Sequence, residues 1–189
     1  NEVTFALDGL GRTTQKSEDM GSGAAVVTSW EFDDNDHVTK LTDDNGSDTL
    51  YAYDVHGRLL TKTYESTKTV SYTYDDNGNL TVLEDGRGND TTYTYDLFDR
   101  RTKTTNALGH YEETDYDKGG NVTEVRRYDA TPTPDVLLQR STRSYDQRGR
   151  HWQTSDLFKD PSTTYSDAVT QIERFKTGHT RYVTDPRSK

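Results

Sequence analysis

Carboxylates are the most abundant residues in this sequence that could do chemistry. The chain of 189 residues has 33 Asp and Glu against 23 Lys and Arg, a formal net charge of −10. Paired carboxylates can hydrolyse glycosides, and acidic clusters such as those that begin at Asp33 and Asp43 offer the hard oxygen ligands that Ca²⁺ takes. Neither cluster is an EF-hand, because the sixth position, which requires Gly, holds Val38 or Asp48. Turn capping by Asp and Asn explains both clusters better, so we predict no metal site.

Other catalytic groups are absent or scattered. The chain has no Cys, which excludes disulfides, a thiolate nucleophile and Cys-ligated zinc. It has no Gly-rich phosphate loop and no Gly-x-Ser-x-Gly elbow. Its five His residues fall at unrelated places in the sequence pattern, so they do not converge as ligands or as a base: His37, His56, His110, His151 and His179. We therefore predict no catalytic residue, no cofactor-binding residue and no cofactor.

The acidic residues instead mark an internal repeat. The string aromatic-Asp-x-x-Gly-(Arg/Asn) occurs in full at Tyr53, Tyr74, Tyr116 and Tyr145, and looser copies occur at residues 7–12, 32–37 and 95–100. From Asp33 to Asp117 the motif Asp recurs every 21 residues. The residues predicted to carry the repeat structurally are Tyr53, Asp54, Gly57, Arg58, Tyr74, Asp75, Gly78, Tyr95, Asp96, Tyr116, Asp117, Gly120, Tyr145, Asp146 and Gly149.

A second marker divides the repeat into two arms. Asp or Asn followed three residues later by Gly stands ten residues after a motif Asp, at Asp43, Asp85 and Asn106, but not at Tyr64. Asp at the first and Gly at the fourth position is typical of a type I turn. Each half-repeat is therefore about six or seven residues of strand and one tight turn, near the usual strand length of about 5–6 residues. The repeat is predicted to be a β-hairpin.

The side-chain pattern predicts one sheet layer. The positions one and three residues before the motif Asp share a face of the strand and are mostly aromatic, as in Tyr51 and Tyr53, whereas the residue between them, Ala52, is small or polar in every copy. Apolar residues such as Leu59 recur five residues after the Asp and are the expected partners of the aromatics. One face is thus moderately apolar and the other polar, which predicts a single curling layer with about sixteen strands.

Breaks in the period predict insertions. Four extra residues fall near 18–23 and eight near Thr131-Pro132-Thr133-Pro134, where we expect a protruding loop because Pro cannot donate to a strand ladder. From 151 to 189 the repeat degenerates, with a loop at 159–162 and a weak eighth copy at 175–179. We see no domain boundary and predict one array over residues 1–189, a segment of a larger protein.

Composition agrees with a polar all-β protein. Hydrophobic residues make up 29% of the chain, too few for a thick core, while Thr (31) and Tyr (13) favour strands. The negative charge argues against nucleic-acid binding. No run approaches the about 18 apolar residues of a membrane span, so no membrane insertion is expected. The charge is uneven: residues 1–117 carry −14 and residues 118–151 carry +3.

The motif resembles a known repeat. The string Tyr-x-Tyr-Asp-x-x-Gly-(Arg/Asn)-Leu-Thr, which begins at Tyr51 and Tyr72, is similar to the YD repeat of the RHS-repeat family. The resemblance implies a β-ribbon that spirals into a hollow shell. Bacterial toxin-complex and polymorphic-toxin members enclose a C-terminal toxin in such a shell, and teneurins use a similar barrel in adhesion. The family's self-cleaving end carries Asp-Pro-x-Gly, but here Ser188 replaces the Gly after Asp185, so autoproteolysis is not expected.

Two functions follow as hypotheses. In the first, the chain is a non-catalytic part of a shell wall in a secreted or surface protein, and its partners are neighbouring repeats of the parent chain and an enclosed toxin cargo. In the second, it is an exposed adhesion or carbohydrate-binding module with a glycan as partner. For the aromatic ladder, packing within the sheet is favoured over stacking on sugar rings.

Overall fold

The computed structural model describes residues 2–21, 23–65, 68–131, 133–159, 165–174 and 180–184. The chain divides into two units, residues 1–90 and 91–189. The prediction of one continuous array stays a prediction. Of the loop expected at 159–162, Lys159 lies in a strand and residues 160–162 lie outside the described residues. The weak copy at 175–179, the segment 185–188 and Pro132 also lie outside them.

The described residues of the first unit form eight strands. Their bounds are β1 Val3–Leu7, β2 Thr13–Glu18, β3 Val26–Phe32, β4 Val38–Thr42, β5 Asp48–Tyr53, β6 Leu59–Tyr64, β7 Lys68–Tyr74 and β8 Leu80–Glu84. Each strand pairs antiparallel with the next one along the chain. The unit is thus an antiparallel meander, as the repeat predicted.

The second unit repeats this order. Its strands are β9 Asp90–Tyr95, β10 Arg101–Thr105, β11 Tyr111–Tyr116, β12 Val122–Asp129, β13 Val136–Tyr145, β14 His151–Lys159, β15 Tyr165–Arg174 and β16 Thr180–Thr184. Consecutive strands again pair antiparallel. The prediction of an all-β fold with about sixteen strands is confirmed.

The eight-residue insertion lengthens a hairpin. Strand β12 has eight residues and β13 has ten, against five or six in β8 to β11. Their pairing continues to Asp129 opposite Val136. Much of the insertion therefore extends the paired strands. The predicted loop is confined to the short connection between Asp129 and Val136.

Strand pairing follows the predicted phase. The aromatic residue before the motif Asp lies opposite the residue five positions after that Asp, as in Tyr53 with Leu59 and Tyr74 with Leu80. The register shifts by one residue just before that aromatic, between Ala52 and Tyr53 in β5. This bulge re-aims the aromatic side chain at the start of each turn.

The described side chains form no hydrophobic core. Among the residues whose side chains the structure describes, no hydrophobic side chain is buried, and the one buried residue is Ser141 at 9% exposure. The ladder residues Tyr51 and Tyr53 are half-buried while Ala52 between them is exposed. The apolar stripe therefore relies on cross-strand contacts within one layer, each worth about 0.2–1 kcal/mol.

Candidate functional site

The aspartate of each motif organises its turn. Oδ1 of Asp54 accepts hydrogen bonds from the backbone N–H groups of His56 (2.8 Å) and Arg58 (2.9 Å). The Asp54 carbonyl accepts from Gly57 N–H at 3.0 Å, and Asp54 N–H donates to the Arg58 carbonyl at 2.9 Å. One carboxylate oxygen thus satisfies two backbone donors that the tight turn would leave free.

The same arrangement recurs in the other copies. The backbone bonds from the residue three after the Asp, and from the Asp to the residue four after it, are present in all seven motif turns. The carboxylates that accept from the residue four positions on are Asp8, Asp33, Asp54, Asp75, Asp96, Asp117 and Asp146. The turns are therefore one structure repeated.

The fourth position of the turn has a left-handed backbone. Gly57 has φ +78° and Gly78 has φ +92°, a region that costs an L side chain about 1–2 kcal/mol. In two of the looser copies this residue is Asp36 (φ 67°) or Asp99 (φ 58°). Asp is one of the few residues that tolerates this conformation, which explains why these copies fold without the glycine.

The side chain at the fifth position of the turn contacts the second carboxylate oxygen of the motif Asp. Arg58 Nε donates to Asp54 Oδ2 at 2.6 Å, and Asn79 Nδ2 donates to Asp75 Oδ2 at 3.1 Å. At the same place His37 Nδ1 lies 3.1 Å from Asp33 Oδ2. Arg, Asn and His are interchangeable here because each places a nitrogen donor four residues after the Asp.

Arginine at this position also reaches the next hairpin. Arg58 Nη1 donates to the carbonyl of Asp75 at 3.3 Å, and its guanidinium carbon lies 4.8 Å from the centre of the Tyr74 ring. Arg100 makes the same contacts to the Asp117 carbonyl (2.9 Å) and the Tyr116 ring (4.6 Å). One side chain therefore links two consecutive motif turns.

The tyrosine of that next motif binds in the reverse direction. The Tyr74 hydroxyl donates to the Leu59 carbonyl at 3.0 Å, just after the turn that holds Arg58. The equivalent bonds join Tyr53 to Val38, Tyr116 to Arg101 and Tyr145 to Val122, at 2.8–2.9 Å. We call this pair of contacts the Arg–Tyr clamp. It is formed by Arg58 and Tyr74 with the Asp75 and Leu59 carbonyls, and by Arg100 and Tyr116 with the Asp117 and Arg101 carbonyls.

The turn environment changes the acidity of its groups. Desolvation raises the pKa of Asp54, but hydrogen bonds from the backbone and guanidinium of Arg58 and from His56 N–H outweigh it and lower the pKa to about 2. The pKa of Asp8 is lowered mainly by the hydrogen bond from Arg12, and that of Asp146 by the backbone of Arg150. Desolvation raises the pKa of Tyr74. These carboxylates are charged turn caps at neutral pH.

Every predicted repeat residue lies in this turn system. The Asp and Gly residues form the turns, and Tyr53, Tyr74, Tyr116 and Tyr145 make hydroxyl bonds between hairpins. Tyr95 lies opposite Arg101, the phase equivalent of Leu59. Sequence reasoning missed the clamp itself, although the 17-residue spacing from Arg58 to Asp75 recurs from Arg100 to Asp117 and was available as a signal.

Part of the basic excess of residues 118–151 is paired with carboxylates of neighbouring strands. Arg126 in β12 lies 2.8 Å from Asp115 and 3.4 Å from Glu113. Glu124 in β12 lies 2.6 Å from Arg140 in β13. These charges form ladders of ion pairs across β11, β12 and β13.

The described residues bring no set of metal ligands together. Within them, no group of three or more His, Cys, Asp or Glu side chains is placed to hold a metal ion. His37 lies beside Asp33, and His110 Nδ1 lies 3.0 Å from Asp129, so they serve separate carboxylates. None of the described residues forms a helix long and apolar enough to cross a membrane.

These features define a class, that of structural β-hairpin repeat proteins in which an Asp-capped turn closes each repeat. The RHS Repeat family model matches residues 32–69, 53–90 and 74–111. The matches begin at motif aromatics, one repeat apart, and each spans nearly two repeats. Residues 32–111 therefore match the RHS-repeat family, as the YD motif predicted.

Solved structures share the fold. TcdB2-TccC3 without its hypervariable C-terminal region aligns over 96% of this chain with a TM-score of 0.73 and 19% identity. A variant of the Photorhabdus luminescens Tc holotoxin pore aligns over 97% with a TM-score of 0.72 and 19% identity. In both comparisons this chain spans 11% of the other chain. No curated protein sequence matches this chain significantly.

Proposed function

We propose that this chain is a non-catalytic segment in the wall of a hollow β-shell that encloses a C-terminal toxin or another polypeptide cargo in a secreted or surface protein. The observation that carries the proposal is the extent of the fold likeness. Nearly the whole chain superposes on toxin-complex structures, yet it accounts for only 11% of the matched chain. A segment of this size suits one stretch of a longer wall.

The thin sheet supports a wall role. A compact domain buries apolar side chains between layers, whereas no described hydrophobic side chain here is buried. A hollow enclosure leaves both sheet faces near water, so only the half-buried Tyr, Val and Leu stripe needs cover. Stability must then come from contacts between neighbouring hairpins, and the Arg–Tyr clamp supplies such contacts at each junction where Arg precedes Tyr.

The chemistry of the turns supports a non-catalytic role. Each motif Asp already accepts two backbone N–H bonds and one side-chain donor, as Asp54 does from His56 and Arg58. A carboxylate held in this way with a lowered pKa is a poor general base at neutral pH. The RHS match itself indicates a structural repeat and no catalytic family.

Protease protection tests the enclosure. In the parent polypeptide, the region C-terminal to the repeats should resist a broad-specificity protease while the wall is intact. It should be cleaved when Arg58→Ala and Arg100→Ala together open two clamps. The isolated C-terminal region is the control and should be cleaved at once. If the region is digested equally in the intact parent and alone, the wall hypothesis is wrong.

Small-angle scattering gives an independent readout of the same idea. A fragment that extends this chain by its flanking repeats should give the distance distribution of a hollow particle. An open ribbon that binds glycans would instead favour the adhesion or carbohydrate-binding hypothesis. Scattering by the 189-residue chain alone is the reference, because the flanking repeats are what should close the particle.

One feature of the second unit favours the glycan alternative. A groove of about 530 Å³ is lined by Tyr93, Tyr111, Tyr128 and Arg101. The rings of Tyr111 and Tyr128 stack with their centres 4.7 Å apart. Aromatic faces next to polar groups suit sugar rings. Glycan-array binding that Tyr128→Ala abolishes would support this function, and an array without hits would remove it.

A further inference from the structure

Arginine occupies the fifth position of every second motif turn. In chain order the residues at this position are Arg12, His37, Arg58, Asn79, Arg100, Asn121 and Arg150. Arg, His and Asn all place a nitrogen beside the second carboxylate oxygen of the motif Asp, as Arg58, His37 and Asn79 do. Capping of the turn therefore does not explain the alternation. What distinguishes the arginines is their contact with the following turn.

The arginines that begin each described pair of turns link two hairpins. Arg12 Nη1 donates to the Asp33 carbonyl at 3.0 Å, and its guanidinium carbon lies 4.8 Å from the centre of the Phe32 ring. Arg58 and Arg100 make the equivalent contacts with their own following turns. We call this contact of an arginine with the next turn the Arg link. It joins hairpin β1–β2 to β3–β4, β5–β6 to β7–β8, and β9–β10 to β11–β12.

The junction between β4 and β5 has no Arg link. His37 Nδ1 lies 3.1 Å from Asp33 Oδ2, and the imidazole stacks on the Tyr53 ring with the centres 4.7 Å apart. The imidazole thus lies where a guanidinium lies in the linked junctions. It does not extend to the next turn: among the described residues, the Asp54 carbonyl accepts a hydrogen bond from Gly57 N–H and from no side chain.

Backbone pairing across this junction is also short. Residues 40–42 of β4 pair with residues 48–50 of β5. Strand β10 pairs with β11 over the same length, and β2 with β3 and β6 with β7 over four residues each, but all three of these junctions have an Arg link.

The side-chain contacts that remain between β4 and β5 are modest. The Tyr53 hydroxyl donates to the Val38 carbonyl at 2.9 Å. Asp48 lies 3.0 Å from Lys40 and accepts from the Thr42 hydroxyl at 2.7 Å. Asp48 is 38% exposed in its side chain, and an ion pair that is open to water contributes little to stability. These contacts therefore do not replace the Arg link.

The second unit contains an unlinked junction that is reinforced in another way. Asn121 Nδ2 donates to Asp117 Oδ2 at 2.9 Å within its own turn, and none of the described contacts joins it to the next motif turn by a hydrogen bond. The eight-residue insertion lengthens the pairing at this junction to residues 124–129 of β12, and Arg140 of β13 lies 2.6 Å from Glu124. The junction of β4 with β5 has neither this longer pairing nor an Arg link.

We propose that a pair of hairpins joined by an Arg link is the unit in which this array opens, and that the first unit parts first between β4 and β5. Residues 3–42 and residues 48–84 then separate as two intact blocks about the turn at residues 43–47, and neither block breaks an Arg link. Local openings within one protein differ widely in free energy, and the segments with the fewest stabilising contacts open most readily. The proposal does not depend on the enclosure of a cargo.

Native-state hydrogen exchange of the 189-residue chain, followed by NMR in low urea, tests this order of opening. Exchange reports the population of the open form when reclosing is fast. The amides that donate across β4 and β5 should exchange about fivefold faster, or more, than those that donate across β6 and β7, which is the effect of one hydrogen bond of ordinary strength. The amides between β2 and β3 should resemble those between β6 and β7.

Exchange of the residues at the fifth position separates the Arg link from the length of the pairing. His37→Arg supplies a guanidinium for the Asp54 carbonyl and the Tyr53 ring, so it should slow exchange across β4 and β5 about fivefold. Arg58→His should speed exchange across β6 and β7 by a similar factor. Arg148→Ala, at an exposed turn centre, is the control and should change neither junction.

Circular dichroism should show that the variants keep the fold, and if one of the two exchanged variants does not fold, the other decides alone. The proposal is overturned if the amides across β4 and β5 exchange no faster than those across β6 and β7 in the wild type. It is also overturned if His37→Arg or Arg58→His folds and leaves exchange at its own junction unchanged.

Discussion

At the residue scale, one position decides how each motif turn is joined to the next. The residue four after the motif Asp caps Asp Oδ2 whether it is Arg58, Asn79 or His37. Only the length and the planar fork of Arg let one side chain donate to its own Asp and to the following turn at once. A local capping residue thereby becomes a link between hairpins.

Substitutions of Arg58 separate these two roles. Arg58→Asn keeps a donor for Asp54, as Asn79 does for Asp75, but removes the contact with the Asp75 carbonyl and the Tyr74 ring. Arg58→Ala removes these contacts and also the side-chain donor to Asp54. The urea midpoint should therefore fall from wild type to Arg58→Asn and again to Arg58→Ala. Arg148→Ala, at an exposed turn centre, is the control. Equal midpoints for wild type and Arg58→Asn would show that the clamp adds nothing.

A pair of glycines tests the packing of His37. A Cβ on Gly57 (φ +78°) would meet His37 Nε2 at 2.7 Å, whereas a Cβ on Gly46 (φ +79°) would meet nothing within 4 Å. Gly46→Ala should cost about 1–2 kcal/mol from backbone strain alone. Gly57→Ala should cost clearly more, because Asp33 and the stacked Tyr53 ring hold His37 in place.

The double variant Gly57→Ala with His37→Asn provides the check by urea unfolding. Removal of the imidazole should relieve the contact, so the added cost of Gly57→Ala should fall to that of Gly46→Ala. If Gly57→Ala and Gly46→Ala are equal in the wild-type background, then His37 does not pack against this turn.

The turn carboxylates predict acid sensitivity. The pKa of Asp54 is about 2 in the folded chain, below its ordinary 3.8, so the folded state binds this proton less readily than the unfolded state. The stabilisation of the folded state by the ionised Asp54 carboxylate is therefore complete above about pH 4 and is lost as the pH falls through about 2. Urea midpoints of wild type and Asp54→Asn should differ at neutral pH and converge toward pH 2. Asp76→Asn makes the same charge change at the turn centre and should stay near wild type at neutral pH. A constant gap down to pH 2 would contradict the assignment.

At the element scale, each hairpin is stabilised by its neighbour. Tyr74 in β7 lies opposite Leu80 within its own hairpin, while its hydroxyl donates to Leu59 in the preceding one. The Arg58 guanidinium also lies over the Tyr74 ring. One side chain therefore contributes to the hairpin and to the junction between hairpins, which a thin sheet needs because it has no core.

Removal of the Tyr74 hydroxyl isolates the junction. Tyr74→Phe keeps the ring and loses one hydrogen bond to a backbone carbonyl, so it should cost about 1 kcal/mol. Tyr72→Phe is the matched control, because the described residues offer its hydroxyl no hydrogen-bond partner. Urea unfolding should show a loss for position 74 only. Equal losses at positions 72 and 74 would show that the destabilisation does not come from the hydrogen bond to Leu59.

At the scale of the whole molecule, stability is distributed along an array. In the first unit, every interior strand has two antiparallel neighbours, whereas β1 pairs with β2 alone and all five of its residues are exposed. Stability in such arrays is approximately a sum over repeats and their interfaces. Interior hairpins should therefore matter more than the first.

Alanine substitution tests this additivity. Tyr74→Ala removes an interior aromatic and should cost about 2–4 kcal/mol, nearer the lower value because the layer is thin. Phe5→Ala removes an aromatic on the corresponding strand face of β1, where Phe5 is 61% exposed. This substitution should cost clearly less. Urea unfolding with unchanged m-values would support the comparison. Equal losses would mean that the array is not additive.

The sequence alone determined the hairpins of this protein. The 21-residue period, the Asp-x-x-Gly turns and the pairing of Tyr53 with Leu59 were all predictable, because a tight turn sets the register of residues only a few positions apart. The tertiary structure decided which side chains meet between hairpins. Arg58 reaches Asp75 and Tyr74 reaches Leu59 only once adjacent hairpins lie at a particular offset. Strand twist and bulges set that geometry, and no local pattern records it.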